Sequence, residues 1–207
     1  DAEPSHAIDN LRIAAGEMEG HFYGQVFQDS DVYKWLEAVG NILMLERDEE
    51  LEKKADSVIN LIAKAQEEDG YLDTYFSIEE PDKKWTDVLE CHELYCAGHF
   101  IESAVAYYKA TGKEKIIQVA YKLADYLGTV FGPEEGKIHG YPGHQEIEIA
   151  LIKLYDLSGN EKYLKLAGYF INTRGTNRFF EEEFEKRDHI SFWAKARTED
   201  PNQYYNQ

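Results

Sequence analysis

The chain has 207 residues, with 22 Lys+Arg against 40 Asp+Glu for a formal charge of −18, and is 43% hydrophobic and 14% aromatic. That apolar content can offset the entropy of ordering, which excludes a disordered chain. The charge excludes a nucleic-acid backbone or an anionic membrane surface as partner, and no apolar run approaches the roughly 18 residues of a membrane span.

The sequence opens at Asp1-Ala2-Glu3-Pro4 with neither an initiator Met nor a basic-then-apolar leader, so it reads as a processed chain or a piece of something longer. Its two cysteines are Cys91 and Cys96. On one helix their Cα atoms would lie more than ~7 Å apart, beyond disulfide reach. Two lone thiols make neither a stapled secreted domain nor a four-Cys zinc module. Reduced thiols and the leaderless opening place the expected location in the cytoplasm.

In chain order, helical periodicity dominates. Ser30-Asp31 is positioned to cap a helix carrying Val32, Leu36, Val39, Ile42, Leu43 and Leu45. A second helix starts near Asp48, carries Leu51, Ala55, Val58, Ile59, Ile62 and Ala63, and stops by Gly70. Tyr71 to Phe76 is the best candidate for a strand, and Pro81 opens a loop containing Trp85. Helices are then predicted over 90–111, 114–131, 143–157 and 161–172, with Gly112, Gly159 and Gly175 as stops. Residues 176–207 read as irregular, with Glu181-Glu182-Glu183 as a solvated face.

An internal repeat underlies this pattern. Tyr108-Lys109-Ala110-Thr111-Gly112-Lys113-Glu114-Lys115 returns as Tyr155-Asp156-Leu157-Ser158-Gly159-Asn160-Glu161-Lys162, and a weaker copy begins at Arg47-Asp48. The unit is helix, tight turn, helix, and stacked units make an open solenoid or a closed α/α toroid. About three pairs are visible where six close a toroid. The expected fold class is therefore all-α, helical hairpins forming roughly half of an (α/α)6 barrel.

Two His-bearing segments could carry chemistry. In His92-Glu93-Leu94-Tyr95-Cys96-Ala97-Gly98-His99, positions 92, 95, 96 and 99 share one helix face, which offers imidazoles and a thiol to a metal or lines a cavity. In His139-Gly140-Tyr141-Pro142-Gly143-His144, a Gly/Pro loop delivers His144 to the start of a helix, and His139 falls opposite His92 in the repeat. Loops of successive pairs gather at one mouth of a toroid, which favours a small-ligand pocket. Aromatics beside these loops, Tyr71, Tyr75, Trp85, Tyr95 and Tyr141, suit stacking on the apolar C–H faces of sugars. Glycosidases usually employ two carboxylates. Glu93, Glu102, Glu146 and Glu148 lie near the right loops, but sequence gives no separation between them.

The segment from His92 to His99, followed by Ala106-Tyr107-Tyr108-Lys109-Ala110-Thr111-Gly112-Lys113, resembles the β-L-arabinofuranosidase family, glycoside hydrolase family 127 and its relatives. So do Gly140-Tyr141-Pro142-Gly143-His144 and the upstream stretch Asp29 to Ala38, and the resemblance runs over nearly the whole chain. It implies an (α/α)6 barrel followed by β-sandwich domains, with residues 1–207 the N-terminal portion of the barrel. It also implies a retaining exo-hydrolase releasing terminal β-L-arabinofuranosyl groups from arabinofuranoside-containing oligosaccharides. A zinc ion would be held by a Glu and three Cys, one Cys being the nucleophile, with a separate Glu as acid/base. Carried over by residue, His92 and His144 match histidines that contact the sugar. Trp85, Tyr95, His99, Tyr141 and Gln145 are the accompanying candidates for lining the pocket. The zinc ligands, the nucleophile and the acid/base do not carry over, so the expectation is no metal and no catalytic residue in these 207 residues and an inactive fragment. The alternatives are a non-catalytic helical-repeat binding module, or another α/α-toroid hydrolase such as one acting on unsaturated uronides. Nothing in the sequence sets the oligomeric state.

Overall fold

A computed structural model describes residues 5–174. Among the described residues eight α-helices follow one another: α1 (Ala7–Ala14), α2 (Asp29–Leu45), α3 (Glu49–Ala65), α4 (Thr74–Ile78), α5 (Glu93–Thr111), α6 (Glu114–Val130), α7 (Ile147–Ser158) and α8 (Glu161–Thr173). Beta structure among the described residues is confined to one bridge, Phe131 with Ile138. Among the described residues no helix is long and apolar enough to cross a membrane.

Helices α2, α5 and α7 lie side by side as one layer, and their hairpin partners α3, α6 and α8 form a second. The outer helices bury one stripe each, such as Ala55, Ile59 and Ile62 on α3. Helix α5 is enclosed by α2, α6 and α7 and is buried nearly all round from Glu93 to Tyr107. Its glycine sets the closest of these approaches. A Cβ at Gly98 would stand 2.6 Å from Glu146 Cγ and 3.0 Å from both Glu146 C and Ile147 N, so the start of α7 rests directly on the α5 backbone. Gly40 plays the same part for α2, where a Cβ would meet Tyr107 N at 2.7 Å.

The repeat is a repeat of turn geometry. Gly112 and Gly159 both end an inner helix in the left-handed region, at φ 71° and 69°, and both N–H groups bond back to a tyrosine carbonyl, Tyr108 and Tyr155. The third copy has no such glycine; there Asp48 caps α3 by accepting from Glu50 N and Leu51 N at 3.0 and 2.9 Å.

Four expectations change. Ser30 and Asp31 lie inside α2, which begins at Asp29, because Asp29 turns inward to accept from Thr74 N and Thr74 Oγ1 at 2.8 and 2.6 Å. The strand candidate has no regular structure over 71–73, where Asp73 is extended, and then becomes α4, whose N-cap Asp73 accepts from Phe76 N. Helix α5 starts at Glu93 and not at 90, since His92 takes φ 61° and stands outside it. Helix α7 starts at Ile147, four residues after Gly143, leaving His144 in the loop. Helix α1, which the sequence reading passed over, packs on α2, α3 and α4. The acidic run at 181–183 and the rest of 176–207 lie outside the described residues.

Candidate active site

The two histidine segments come from successive inner-helix entrances and meet. His92 Nε2 stands 3.2 Å from His144 Nε2, and the rings lie 5.1 Å apart. Phe27 packs on His92 at 5.0 Å, and Tyr95 touches His92, His144 and His99 at 5.7, 5.1 and 4.4 Å. His92 reaches this position because its left-handed backbone carries it clear of the helix, and its Nδ1 contacts the Glu90 carbonyl. Lys34, one turn after Ser30 on α2, donates to Tyr95 Oη at 2.7 Å and to Ser30 Oγ at 3.2 Å, which orients the tyrosine.

Beneath the pair lies a buried polar group. His99 Nδ1 is 3.2 Å from Glu146 Oε1, yet the two are misaligned and neither atom is hydrogen-bonded. Glu146 is pushed up to about 8, chiefly by burial and then by its hydrogen bond to Glu102, and His99 is lowered to about 4, chiefly by burial. At neutral pH an imidazole and a protonated carboxyl therefore face each other uncharged. Glu102 pairs with Lys153, which also sits 3.7 Å from Glu37. Glu37, His99 and Glu102 have ligand atoms close enough for a cation, but the Lys153 ammonium pairs with Glu102 and stands 3.7 Å from Glu37, offsetting one of the two carboxylate charges.

The other carboxylates are held structurally. Glu93 accepts from Tyr71 Oη at 2.6 Å and from Trp85 N at 2.9 Å, and burial raises it to about 7. Glu148 pairs with Arg174 at 2.5 Å. None of the four glutamates near these loops is an open pair flanking a cleft of the glycosidase kind.

The sequence-derived candidates divide accordingly. His92, His144, Tyr95 and His99 form one contiguous set. Trp85 belongs to a neighbouring aromatic cluster with Tyr71, Tyr126 and Phe131, and joins the histidine segment through its bond to Glu93. Tyr141 is buried under the Arg174 guanidinium, and Gln145 is exposed beside Ile149 and Ile171. His139 contacts the Glu134 carbonyl; the rings touching His92 are Phe27, Tyr95 and His144. Cys96 leaves the supposed shared face: it is fully buried, and its thiol is pushed well up by burial and by the charges of Asp73 and Asp29. Lys34, Phe27, Lys153 and Arg174 were missed, though Lys34 stands four residues after Ser30, a spacing that sets the two on one helix face.

A family model described as the β-L-arabinofuranosidase GH127 catalytic domain matches residues 2–202. The chain belongs to that family. A non-reducing end β-L-arabinofuranosidase of Bifidobacterium longum subsp. longum is 50% identical over 182 residues, covering 85% of this chain and 27% of the relative. Among solved structures, a GH127 β-L-arabinofuranosidase from Geobacillus stearothermophilus superposes with a TM-score of 0.89 at 59% identity, over 93% of this chain and 31% of that one. A GH127 β-arabinofuranosidase gives 0.78 at 38% identity, over 83% and 28%. The GH127 chain described here thus spans under a third of the length of each of these relatives, and its hairpins form roughly half of an (α/α)6 barrel. The three Cys that the resemblance implies as zinc ligands cannot all come from a chain with two cysteines, and among the described residues Cys96 is sealed in the core and Glu37 and Glu102 are engaged by Lys153.

Proposed function

We propose that residues 1–207 are the N-terminal portion of the catalytic barrel of a retaining glycoside hydrolase that releases terminal β-L-arabinofuranosyl residues from arabinofuranoside-containing oligosaccharides. The observation that carries this reading is the 3.2 Å juxtaposition of His92 and His144 from two successive hairpins, over the rings of Phe27 and Tyr95. Two imidazoles at one mouth offer directional hydrogen bonds to a furanoside's hydroxyls, and the aromatic rings offer an apolar face to its C–H edge. Their catalytic contribution would be hydrogen bonds that strengthen as the sugar approaches its transition state. Nucleophile, acid/base and the zinc ligands are assigned to parts of the hydrolase outside these residues, and the 207-residue chain by itself is inactive on this reading.

His144→Ala in the complete hydrolase, assayed on an aryl β-L-arabinofuranoside, tests it. Loss of about tenfold or more in kcat/KM is expected for a lost sugar contact. An unchanged value would remove the sugar-binding role, and turnover by the 207-residue chain alone would overturn the division of labour.

A further inference from the structure

The loop that carries His144 contains Gly140 and Gly143, residues with little stiffness of their own. Side chains from α8 tie it down. At its start, Tyr169 Oη donates to the carbonyls of Ile138 and Gly140 at 3.2 and 3.3 Å. At its centre stands Arg174, the residue that ends α8. One guanidinium nitrogen, Nη1, donates to the Pro142 carbonyl at 3.0 Å, and the other, Nη2, to the carbonyl of His144 itself at 3.3 Å. Nη2 and Nε both donate to Glu148 Oε1, at 2.5 and 3.1 Å, and the planar group stacks over Tyr141 at 5.0 Å. A single rigid side chain, 10% exposed, thus grips the backbone before His144, at His144, and the first turn of α7 after it.

We infer that Arg174, held by Glu148, is the positioning residue that fixes where the His144 imidazole stands relative to His92. The inference rests on the sugar-binding role proposed above for His144. A guanidinium suits the task because its donors form a fixed fork that meets two carbonyls and a carboxylate at once; a lysine ammonium is a point charge on a flexible stem. The effect on chemistry is indirect. Arg174 acts on the carbonyl of His144, and the imidazole acts on the sugar. A displacement of about 1 Å at a binding group is enough to cost on the order of a hundredfold in rate.

The test is a mutant cycle in the complete hydrolase with an aryl β-L-arabinofuranoside. R174K keeps the cation beside Glu148 and breaks the fork; E148Q keeps the acceptor's shape and removes the charge that holds Arg174. Each is measured alone and combined with H144A, alongside its melting temperature. The expected result is a fall of about tenfold in kcat/KM for R174K, a smaller fall for E148Q, and no further fall when either is added to H144A. Losses that add to that of H144A, or wild-type kinetics in R174K, would overturn the positioning role. Misfolding of one variant leaves the other to decide. An H144A enzyme with unchanged kinetics would remove the histidine's role as well, which separates that failure from a failure of Arg174 alone.

Discussion

His92 Nε2 and His144 Nε2 face each other at 3.2 Å, so one must carry a proton and the other a lone pair. His92 Nδ1 is engaged by the Glu90 carbonyl, which only accepts, so in the neutral ring the proton sits on Nδ1 and Nε2 is the acceptor. His144 then presents Nε2–H. An amide at position 144 supplies an N–H donor and an alanine supplies none. H144Q in the complete hydrolase is therefore expected to keep several-fold more kcat/KM than H144A, a difference of about one neutral hydrogen bond. Equal losses in the two variants would contradict this assignment of the protons.

The backbone contact between α5 and α7 makes a second prediction. Alanine at Gly98 would push its Cβ against the Glu146 backbone, which neither helix can yield without moving. G98A should cost about 1–3 kcal/mol, read as a fall in the urea midpoint, because overpacking a filled contact has that range. At Gly112 nothing lies within 4 Å of the added Cβ, and only the φ of 71° is unfavourable. G112A should cost about 1 kcal/mol, the strain of a left-handed alanine. Gly98 also bears on the site, since Glu146 stands two residues after His144; activity should fall with G98A and not with G112A.

The repeat was legible because a left-handed helix end demands glycine, and Gly112 and Gly159 write that demand into the sequence 47 residues apart. Asp48 was legible for a related reason, as a short acceptor beside orphan N–H groups. Helix starts at buried sites were not. Asp29 satisfies a helix 45 residues away in sequence, a partner that no local pattern names. His92 leaves the helix by a left-handed backbone that, glycine aside, few residues adopt, so its face could not be read from spacing alone. Cys96 shows the consequence, facing the core where the spacing placed it with His92 and His99. The site's partners Lys34 and Arg174 come from helices far along the chain, and their roles follow from packing.

Tyr95 supplies a third prediction. Its ring touches three histidines, and its hydroxyl is held by Lys34 at 2.7 Å. Y95F keeps the ring and removes the acceptor; Y95A removes both. If the ring's apolar face is what the sugar meets, Y95F should leave KM within about threefold of wild type while Y95A raises it by tenfold or more, in line with about 1–3 kcal/mol for a stacked contact. Equal effects from both would assign the contact to the hydroxyl.

Stability should fall as the pH rises from about 6.5 to about 8.5. Burial lifts Glu93 to about 7 against the bonds from Tyr71 and Trp85, and lifts Glu146 to about 8 together with its bond to Glu102. Unfolded, both carboxyls titrate near ~4.3. The folded protein therefore binds more protons than the unfolded chain between those values, and the stability this confers, full below the unfolded pKa, is lost as pH rises through 7 and 8. His99, Glu102, Glu80 and Glu134, all lowered in the fold, work in the opposite sense and do so mainly at lower pH. His99, lowered to about 4 by burial, contributes stability present above its unfolded value near 6.5 and lost as pH falls toward 4. Glu102 is pushed up by burial but brought below its ordinary value by its bonds to Glu146 and Lys153, so its contribution fades only on acidification. Urea midpoints measured at the two pH values should be higher at the lower one. E93Q and E146Q, which leave a neutral amide in each place, should each flatten the slope; a midpoint that rises toward alkaline pH would contradict the buried, protonated state of both carboxyls.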